Sequence, residues 1–173
     1  MTDLSITILP ETAGDAQQIE RLHERTFGPG RFALSAYRLR EHVDHRLDLS
    51  FTAHIGTLLV GSVRNLPICV GNTKALMLGP LTVEPPFRSH GIGRMLIEKS
   101  LKEAKAKGHR LVLLVGDAPY YTRFGFKLVP RGRATMPGPV DYGRVLVAEL
   151  DDNAFDGVSG RIRPDWDFAR AVI

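Results

Sequence analysis

The run Val83-Glu84-Pro85-Pro86-Phe87-Arg88-Ser89-His90-Gly91-Ile92-Gly93-Arg94 holds the residue types best suited to chemistry. It joins the end of a strand-like stretch to the start of a helical one. A helix start presents backbone N–H groups without carbonyl partners, together with the positive end of the helix dipole. Gly91 and Gly93 remove side chains that would keep a ligand from those groups, and Arg88 and Arg94 add positive charge. Such a site suits an anion, most naturally a phosphate. The spacing is not that of a P-loop, which needs four residues between glycines and then Gly-Lys-Ser or Gly-Lys-Thr. It is not a dinucleotide fingerprint either, because Arg94-Met95-Leu96 follows Gly93 and the third glycine is missing. A glycine-rich helix start with no ligand would satisfy the same spacing. His90 lies inside this loop, placed either against a phosphate or in solvent.

The elements that must hold this loop are legible on both sides of it. Upstream, Phe51 to Ile55, Thr57 to Leu66 and Lys74 to Val83 read as strands separated by turns at Gly56 and Gly71-Asn72. Connections this short predict an antiparallel meander. Gly79-Pro80 interrupts the third strand and predicts an edge, a bulge or a parting of strands there. Downstream, Ile92, Leu96, Ile97, Leu101 and Ala104 form the apolar side of a helix to about Lys107, capped by Gly108. Leu111-Val112-Leu113-Leu114-Val115 then reads as a strand buried on both faces, which completes a βαβ unit with a parallel pair.

Outside this centre, Ser5 to Leu9 predicts a strand ended by Pro10. Thr12 and Asp15 form a weak capping box for a helix to Phe27, with Ala16, Ile19, Leu22 and Thr26 on one face. A second helix is predicted over Leu34 to Leu47, with Leu39, Val43 and Leu47 on its stripe. Phe126 to Val129 and Val145 to Leu150 read as strands, and Pro130 to Gly143 as loop. Trp166 and Phe168 are the expected anchors of the tail.

A chain of 173 residues suits one domain able to bury a core without disulfides or metals. The lone cysteine, Cys69, excludes an internal disulfide and any multi-cysteine zinc site, and its apolar neighbours predict an inert buried thiol. His42 and His45 have no evident third ligand, so no metal is expected. The N-terminus lacks the pattern of a secretion signal and no apolar run reaches membrane-spanning length, so a cytoplasmic protein with no membrane partner is expected. A net charge of +4 without long runs of like charge argues against a nucleic-acid partner and suits a phosphorylated cofactor equally well.

The segment Arg88-Ser89-His90-Gly91-Ile92-Gly93 resembles the R/Q-x-x-G-x-G/A signature of GNAT acetyltransferases. Tyr121-Thr122-Arg123-Phe124-Gly125-Phe126 is similar to that family's Y-x-K/R-x-G-F segment after the fifth strand. The order of elements agrees from Ser5 to about Leu150. Leu78-Gly79-Pro80-Leu81, Leu113-Leu114-Val115-Gly116-Asp117, Tyr120-Tyr121 and Gly157-Val158-Ser159-Gly160 resemble a bacterial subgroup, the YhbS-like predicted N-acetyltransferases. The resemblance implies an α/β (α+β) GNAT fold, a mixed central sheet of about seven strands with helices on both faces. It implies a domain over residues 4–150, with the tail 151–173 packed on it.

The resemblance also implies acetyl-CoA as co-substrate and an N-acetyltransferase acting on a primary amine of a small molecule or protein. Leu81, Thr82 and Val83 would face the pantetheine arm, with Leu81 and Val83 offering backbone groups. The pyrophosphate would rest on the amides of Arg88, Ser89, His90, Gly91, Ile92, Gly93 and Arg94. A backbone N–H near Leu81 would serve as a modest oxyanion hole. Tyr121 stands where the family tyrosine protonates the leaving thiolate; a core tyrosine is the plainer alternative, and Tyr120 the neighbour that could replace it. For the general base Glu84, Asp117, His54 and a water chain stay open. Two further classes remain in view: an acyl-CoA-binding regulatory module without turnover, which the intact Tyr121 argues against, and an RNA-associated protein, which the missing aromatic and basic stripe argues against. Neither the acceptor nor a homodimer can be read from these residues; acceptor specificity is expected in Gly28 to Leu47, the Pro130 to Gly143 loop and the tail, none of which carries a recognised motif.

Overall fold

The computed structural model describes residues 5–28, 35–41 and 43–166. β1 (Ile6–Pro10) is an edge strand antiparallel to β2 (Phe51–Ile55). Pro10 lies within the strand, opposite Phe51, rather than after it; an edge position tolerates its missing N–H. The Thr12 amide donates to Asp15 Oδ2 at 2.8 Å. That contact opens a short 3₁₀ turn which leads into α1 (Ala16–Phe27), where Ile19 and Leu22 are fully buried.

α2 (Ser35–Arg40) is shorter than the helix predicted over Leu34 to Leu47. Leu39 and Val43 are buried as the stripe required, but Leu47 is 41% exposed and starts a separate 3₁₀ turn. Leu34 and His42 lie outside the described residues.

β2 continues through Gly56 into β3 (Leu58–Val70), and β3 through Gly71 into β4 (Thr73–Val83), the predicted meander. β3 runs past Leu66 to Val70, because residues 67–70 are buried and paired on both sides. α3 (Ile92–Ala106) then crosses to β5 (Leu111–Val115), which is parallel to β4. Gly108 closes the helix with φ 86°, and the His109 amide reaches back to the Ala104 carbonyl.

After the short α4 (Ala118–Tyr121) come β6 (Lys127–Leu128), β7 (Ala134–Thr135), β8 (Val145–Glu149) and β9 (Gly160–Pro164). The main path through the sheet is β1-β2-β3-β4-β5-β8-β6, seven strands. β9 pairs with β3 and β7 to make nine. β7 lies in the segment read as loop and β9 in the segment read as tail. The tail is held by Phe155, Val158 and Ile162, all buried, whereas Trp166 is 38% exposed. Phe168 lies outside the described residues.

The sheet carries helices on both faces. Val60 of β3 packs with Ile92 and Leu96 of α3. Its neighbour Leu59 packs with Ile19 and Leu22 of α1. Successive strand residues point to opposite faces, so α1 and α3 flank the sheet. Leu39 of α2 joins a third apolar group with Met77, Leu113 and Val147. No described helix is long and apolar enough to cross a membrane.

Two polar clusters fix β3, the strand on which β4 is built. Asn65 Nδ2 donates to the Leu49 carbonyl at 2.7 Å and to the Ser100 hydroxyl of α3, and the Asn65 amide donates to Ser50 Oγ. Arg64 forms a fork onto Glu11, Nε to Oε1 at 3.0 Å and Nη2 to Oε2 at 3.3 Å, and His45 Nε2 meets Glu11 Oε2 at 2.5 Å. Both ends of the Arg64–Glu11 pair are buried.

Glu11→Gln keeps the side-chain shape and leaves Arg64 with only the longer contact to Glu20, 3.5 Å away. The expected cost is about 3–5 kcal/mol, because a buried charge loses its partner. It will be read as a lower urea midpoint at pH 7. Burial works to raise the Glu11 carboxyl, but His45 and Arg64 outweigh it and hold the group below its ordinary 4.5. The stabilisation is therefore complete above that ordinary value and is lost as pH falls through the lower folded value. Variant and wild type should converge in strongly acidic buffer. Equal midpoints at pH 7 would remove this cluster from the account of stability.

Candidate active site

β4 and β5 are paired at only two positions, Leu76 with Val112 and Met77 with Leu113. Beyond these they part. On its other side β4 stays paired with β3, but Asn65 faces Leu78 while Val63 faces Leu81, so Arg64 stands against both Gly79 and Pro80. This is a bulge, as the glycine-proline interruption predicted, and a bulge bends the strand that carries it. The bend turns Leu78–Val83 away from β5 and opens the sheet.

The Glu84 amide donates to the Val60 carbonyl at 2.8 Å, which sets the phase of the β3–β4 ladder. Alternation then commits the backbone of Thr82 to β3 and turns the N–H and C=O of Leu81 and Val83 toward the gap. The Thr82 side chain is 1% exposed. The Val83 carbonyl already accepts Arg88 Nε at 3.2 Å, which ties the following loop to the strand end.

That loop turns through Ser89 and Gly91, with φ 73° and 78°. A Cβ on Gly91 would meet nothing within 4 Å, so its conformation rather than crowding calls for glycine. The amides of Ser89 to Arg94 have no protein acceptor among the described residues, and the first capping bond of α3 runs from Met95 to Gly91. Ile92 contributes only its amide, since its side chain is buried in the core. His90 is exposed, and Arg94 pairs with Glu98 one turn on, Nε to Oε1 at 2.9 Å. A cleft of about 780 Å³ runs from Leu81 past Arg88 and Gly93 to Arg123.

A second cavity, of about 1080 Å³, opens on the other side of the parted strands. Phe27, Leu81 and Tyr120 line both spaces. Residues from α2 and from the segment before β8 complete the second one, namely Arg40, Pro139, Val140, Asp141 and Arg144. None of these five was named singly from the sequence, since no local motif marks them, but Arg40, Pro139, Val140 and Asp141 lie in the two segments, Gly28 to Leu47 and Pro130 to Gly143, where acceptor specificity is expected.

The two tyrosines of α4 face different ways. The Tyr121 ring lies on Gly116, where a Cβ would come within 2.4 Å of it, and meets Phe126 edge-on at 6.0 Å. Burial, with the neighbouring Tyr120 and Asp117, pushes its phenol up to about 12. The Tyr120 hydroxyl instead lies 3.0 Å from where a Cβ of Gly93 would be, so it looks across at the start of α3. Burial raises its pKa as well.

The remaining candidates are spread out. Glu84 is held by Arg25 of α1 in an ion pair. Asp117 is exposed at the cavity edge, and its carbonyl accepts the amides of Tyr120 and Tyr121 at 3.1 Å each. His54 lies on β2, two strands from β4, bonded to Thr52 Oγ1 at 2.9 Å, and lines neither space. Cys69 is buried in β3.

Residues 49–128 match the family model of the acetyltransferase (GNAT) domain. The chain is 30% identical over 158 residues to YhbS of Escherichia coli K12, an uncharacterized N-acetyltransferase, covering 90% of this chain and 94% of that one. A second E. coli protein, the uncharacterized N-acetyltransferase YjhQ, is 28% identical over 117 residues, 65% of each chain. The crystal structure of E. coli YhbS in complex with CoA superposes with a TM-score of 0.80 at 28% identity, covering 97% of this chain and 94% of that one. A GNAT family acetyltransferase from Brucella melitensis, solved with acetyl-CoA, shares the fold at a TM-score of 0.68 and 22% identity, over 95% and 99% of the two chains. A parted β4–β5 pair, a glycine loop of free amides and a relative matched along nearly the whole chain agree: this protein belongs to the GNAT family of N-acetyltransferases.

Proposed function

We propose that the protein transfers the acetyl group of acetyl-CoA directly to a primary amine, with the amine attacking the thioester and no acyl-enzyme formed. The observation that carries this reading is the junction of two spaces at Leu81 and Tyr120, between the parted strands. One space has the free amides and arginines that suit a pyrophosphate, and the other has an apolar floor with charges at its edge.

In this reading the pantetheine arm lies along the free edge of β4 and bonds the backbone of Leu81 and Val83. The pyrophosphate sits on the amides of the Ser89 to Arg94 loop, with Arg88 and Arg94 nearby. The Leu81 N–H donates a hydrogen bond to the thioester oxygen as negative charge develops on it in the tetrahedral centre. Tyr121 gives its proton to the departing thiolate; a phenol held near 12 stays protonated at every working pH and so always has one to give. Asp117 is the better placed of the carboxylates to take the ammonium proton, directly or through water, because Glu84 is occupied by Arg25.

Acetyl-CoA should raise the melting temperature of the wild type, by the equivalent of about 2.7 kcal/mol at a hundredfold excess over Kd. Gly93→Val points a branched side chain at Tyr120, Leu81 and Val83, and should abolish that rise while leaving the unliganded melting temperature within a few degrees. A wild type indifferent to millimolar acetyl-CoA would overturn the cofactor assignment.

Tyr121→Phe removes one oxygen and keeps the ring on Gly116. Turnover should fall by about ten- to ten-thousandfold with little change in acetyl-CoA affinity. The deficit should shrink as pH rises, since the thiolate then leaves more readily without a proton. The wild-type rate should show no loss from ionisation of Tyr121 until pH approaches 12. Unchanged turnover in Tyr121→Phe, with a loss in Tyr120→Phe, would move the acid to Tyr120. Unchanged turnover in both would assign the proton to water.

A further inference from the structure

The wall of the second cavity carries information about the acceptor. Met77, Leu78, Pro80, Leu114 and Val140 give it an apolar interior large enough for a branched side chain. Its charged residues are Arg40, Asp117, Asp141 and Arg144, two of each sign. A site for polyamines or other polycations would carry an excess of carboxylates, and this one does not. Asp141 is partly committed, since its Oδ1 accepts the Gly143 amide at 2.9 Å. Arg40 stands on the far side, with Nη2 3.5 Å from the Cβ position of Gly79.

Asp117 and Arg144 differ from those two. The Gly116 amide donates to the Arg144 carbonyl at 2.9 Å, one step beyond the last register pair of β5 and β8, Val115 with Val145. The two opposite charges therefore stand on adjoining strand ends at the cavity mouth. Among the described residues, neither side chain forms a salt bridge or hydrogen bond. Both act electrostatically on Tyr121, with opposite signs, so both charges lie at the end of the cavity where transfer would occur.

We infer that the acceptor is a free α-amino acid with an apolar side chain, its amine at Asp117, its carboxylate at Arg144 and its side chain in the pocket of Leu78, Leu114 and Val140. Such a molecule carries one charge of each sign close together, which suits a cavity lined by an unpaired carboxylate and an unpaired guanidinium at adjoining strand ends. A guanidinium also offers a carboxylate two parallel hydrogen bonds. A peptide N-terminus or a lysine side chain presents the amine without the adjacent carboxylate and would leave Arg144 unused. This inference rests on the amine-transfer reading above.

The test compares L-leucine, L-leucinamide and 3-methylbutylamine, which share the side chain and differ in the carboxylate, by release of free thiol from acetyl-CoA. The wild type should prefer leucine to either analogue by at least about tenfold in kcat/KM. Leucinamide has the more easily deprotonated amine, so intrinsic reactivity runs against this preference. In Arg144→Gln, at an exposed position, the ratio of leucine to leucinamide should collapse toward one, and Arg144→Lys should restore part of it. Leucinamide or 3-methylbutylamine used as well as leucine, or a preference that survives Arg144→Gln, would overturn the inference while leaving amine transfer standing. Thiol release with none of the three, in a protein that binds acetyl-CoA, would overturn the inference, and release with a peptide or lysine amine in the same assay would leave amine transfer standing. The acceptor site is then read without turnover: leucine, but not leucinamide, should raise the melting temperature of protein saturated with CoA. The absence of that rise overturns the inference on its own.

Discussion

Everything at the site follows from one mismatch of count: between Val63 and Asn65, β3 has a single residue where β4 has two. A strand that gains a residue on one side cannot stay in step with a neighbour on the other. β4 keeps its ladder with β3 and gives up the one with β5 after Met77. Releasing that ladder frees the backbone of Leu81 and Val83, and it creates both the cleft and the cavity beside it. Unpaired backbone groups inside a protein are costly unless something bonds them. A freed strand edge of this kind therefore asks for a ligand with its own amides, and a pantetheine arm has two.

The mismatch persists only if β3 does not shift to absorb it. Arg64 is the residue that faces the bulge, and it is pinned to Glu11 at the end of β1. Asn65, next along, is tied to the Leu49 carbonyl and to Ser100 in the body of α3. The same two adjacent residues thus fix the bulge and the seat of the helix whose first turn forms the anion site. The N-terminus of α3 cannot slide along the sheet without breaking a buried amide contact. The position of the glycine loop relative to the parted strands is in this way set from beneath, and Arg88 on the Val83 carbonyl sets it from the surface.

The loop, the helix behind it and the buried fifth strand were legible because each is encoded in consecutive residues. Free amides, a glycine at φ 78° and a cationic flank need no information from elsewhere in the chain. Gly79-Pro80 announced the bulge for the same reason. The acceptor side was legible only as segments, Gly28 to Leu47 and Pro130 to Gly143, and not as residues, because no motif in α2, the end of β5 or the segment before β8 marks single positions. The polar, mixed tail gave no sign that Gly160–Pro164 would join β3, since a five-residue strand at a sheet edge has little pattern of its own. Trp166 was an expected anchor and is 38% exposed, whereas the buried apolar residues of the tail, among those described, are Ala154, Phe155, Val158 and Ile162. Glu84 lies beside the loop in sequence, but sequence proximity says nothing of Arg25, which arrives from α1 and pairs with it.

Both tyrosines of α4 line the second cavity, but successive residues of a helix project about 100° apart, so their rings reach different neighbours. On α4 the second points inward, onto the bare face of Gly116 and the edge of Phe126, and the first points across the gap to Gly93. The inward ring is gripped tightly enough that an alanine at Gly116 would collide with it. A phenol held this way has one orientation and keeps its proton at neutral pH; its raised pKa also makes it a weaker acid, so in the proposed mechanism its fixed position rather than its acidity would serve proton delivery to the sulfur. The outward tyrosine sits where the two spaces meet, packed edge-on by Phe124 at 5.5 Å and with Arg123 over its ring at 5.6 Å. Its hydroxyl stands in the passage that a pantetheine arm would have to take past Gly93, so the glycine is needed not only by the ligand but by the tyrosine already there. In the proposed mechanism Tyr121 is the fixed donor, while Tyr120 stands in the wall that both spaces share.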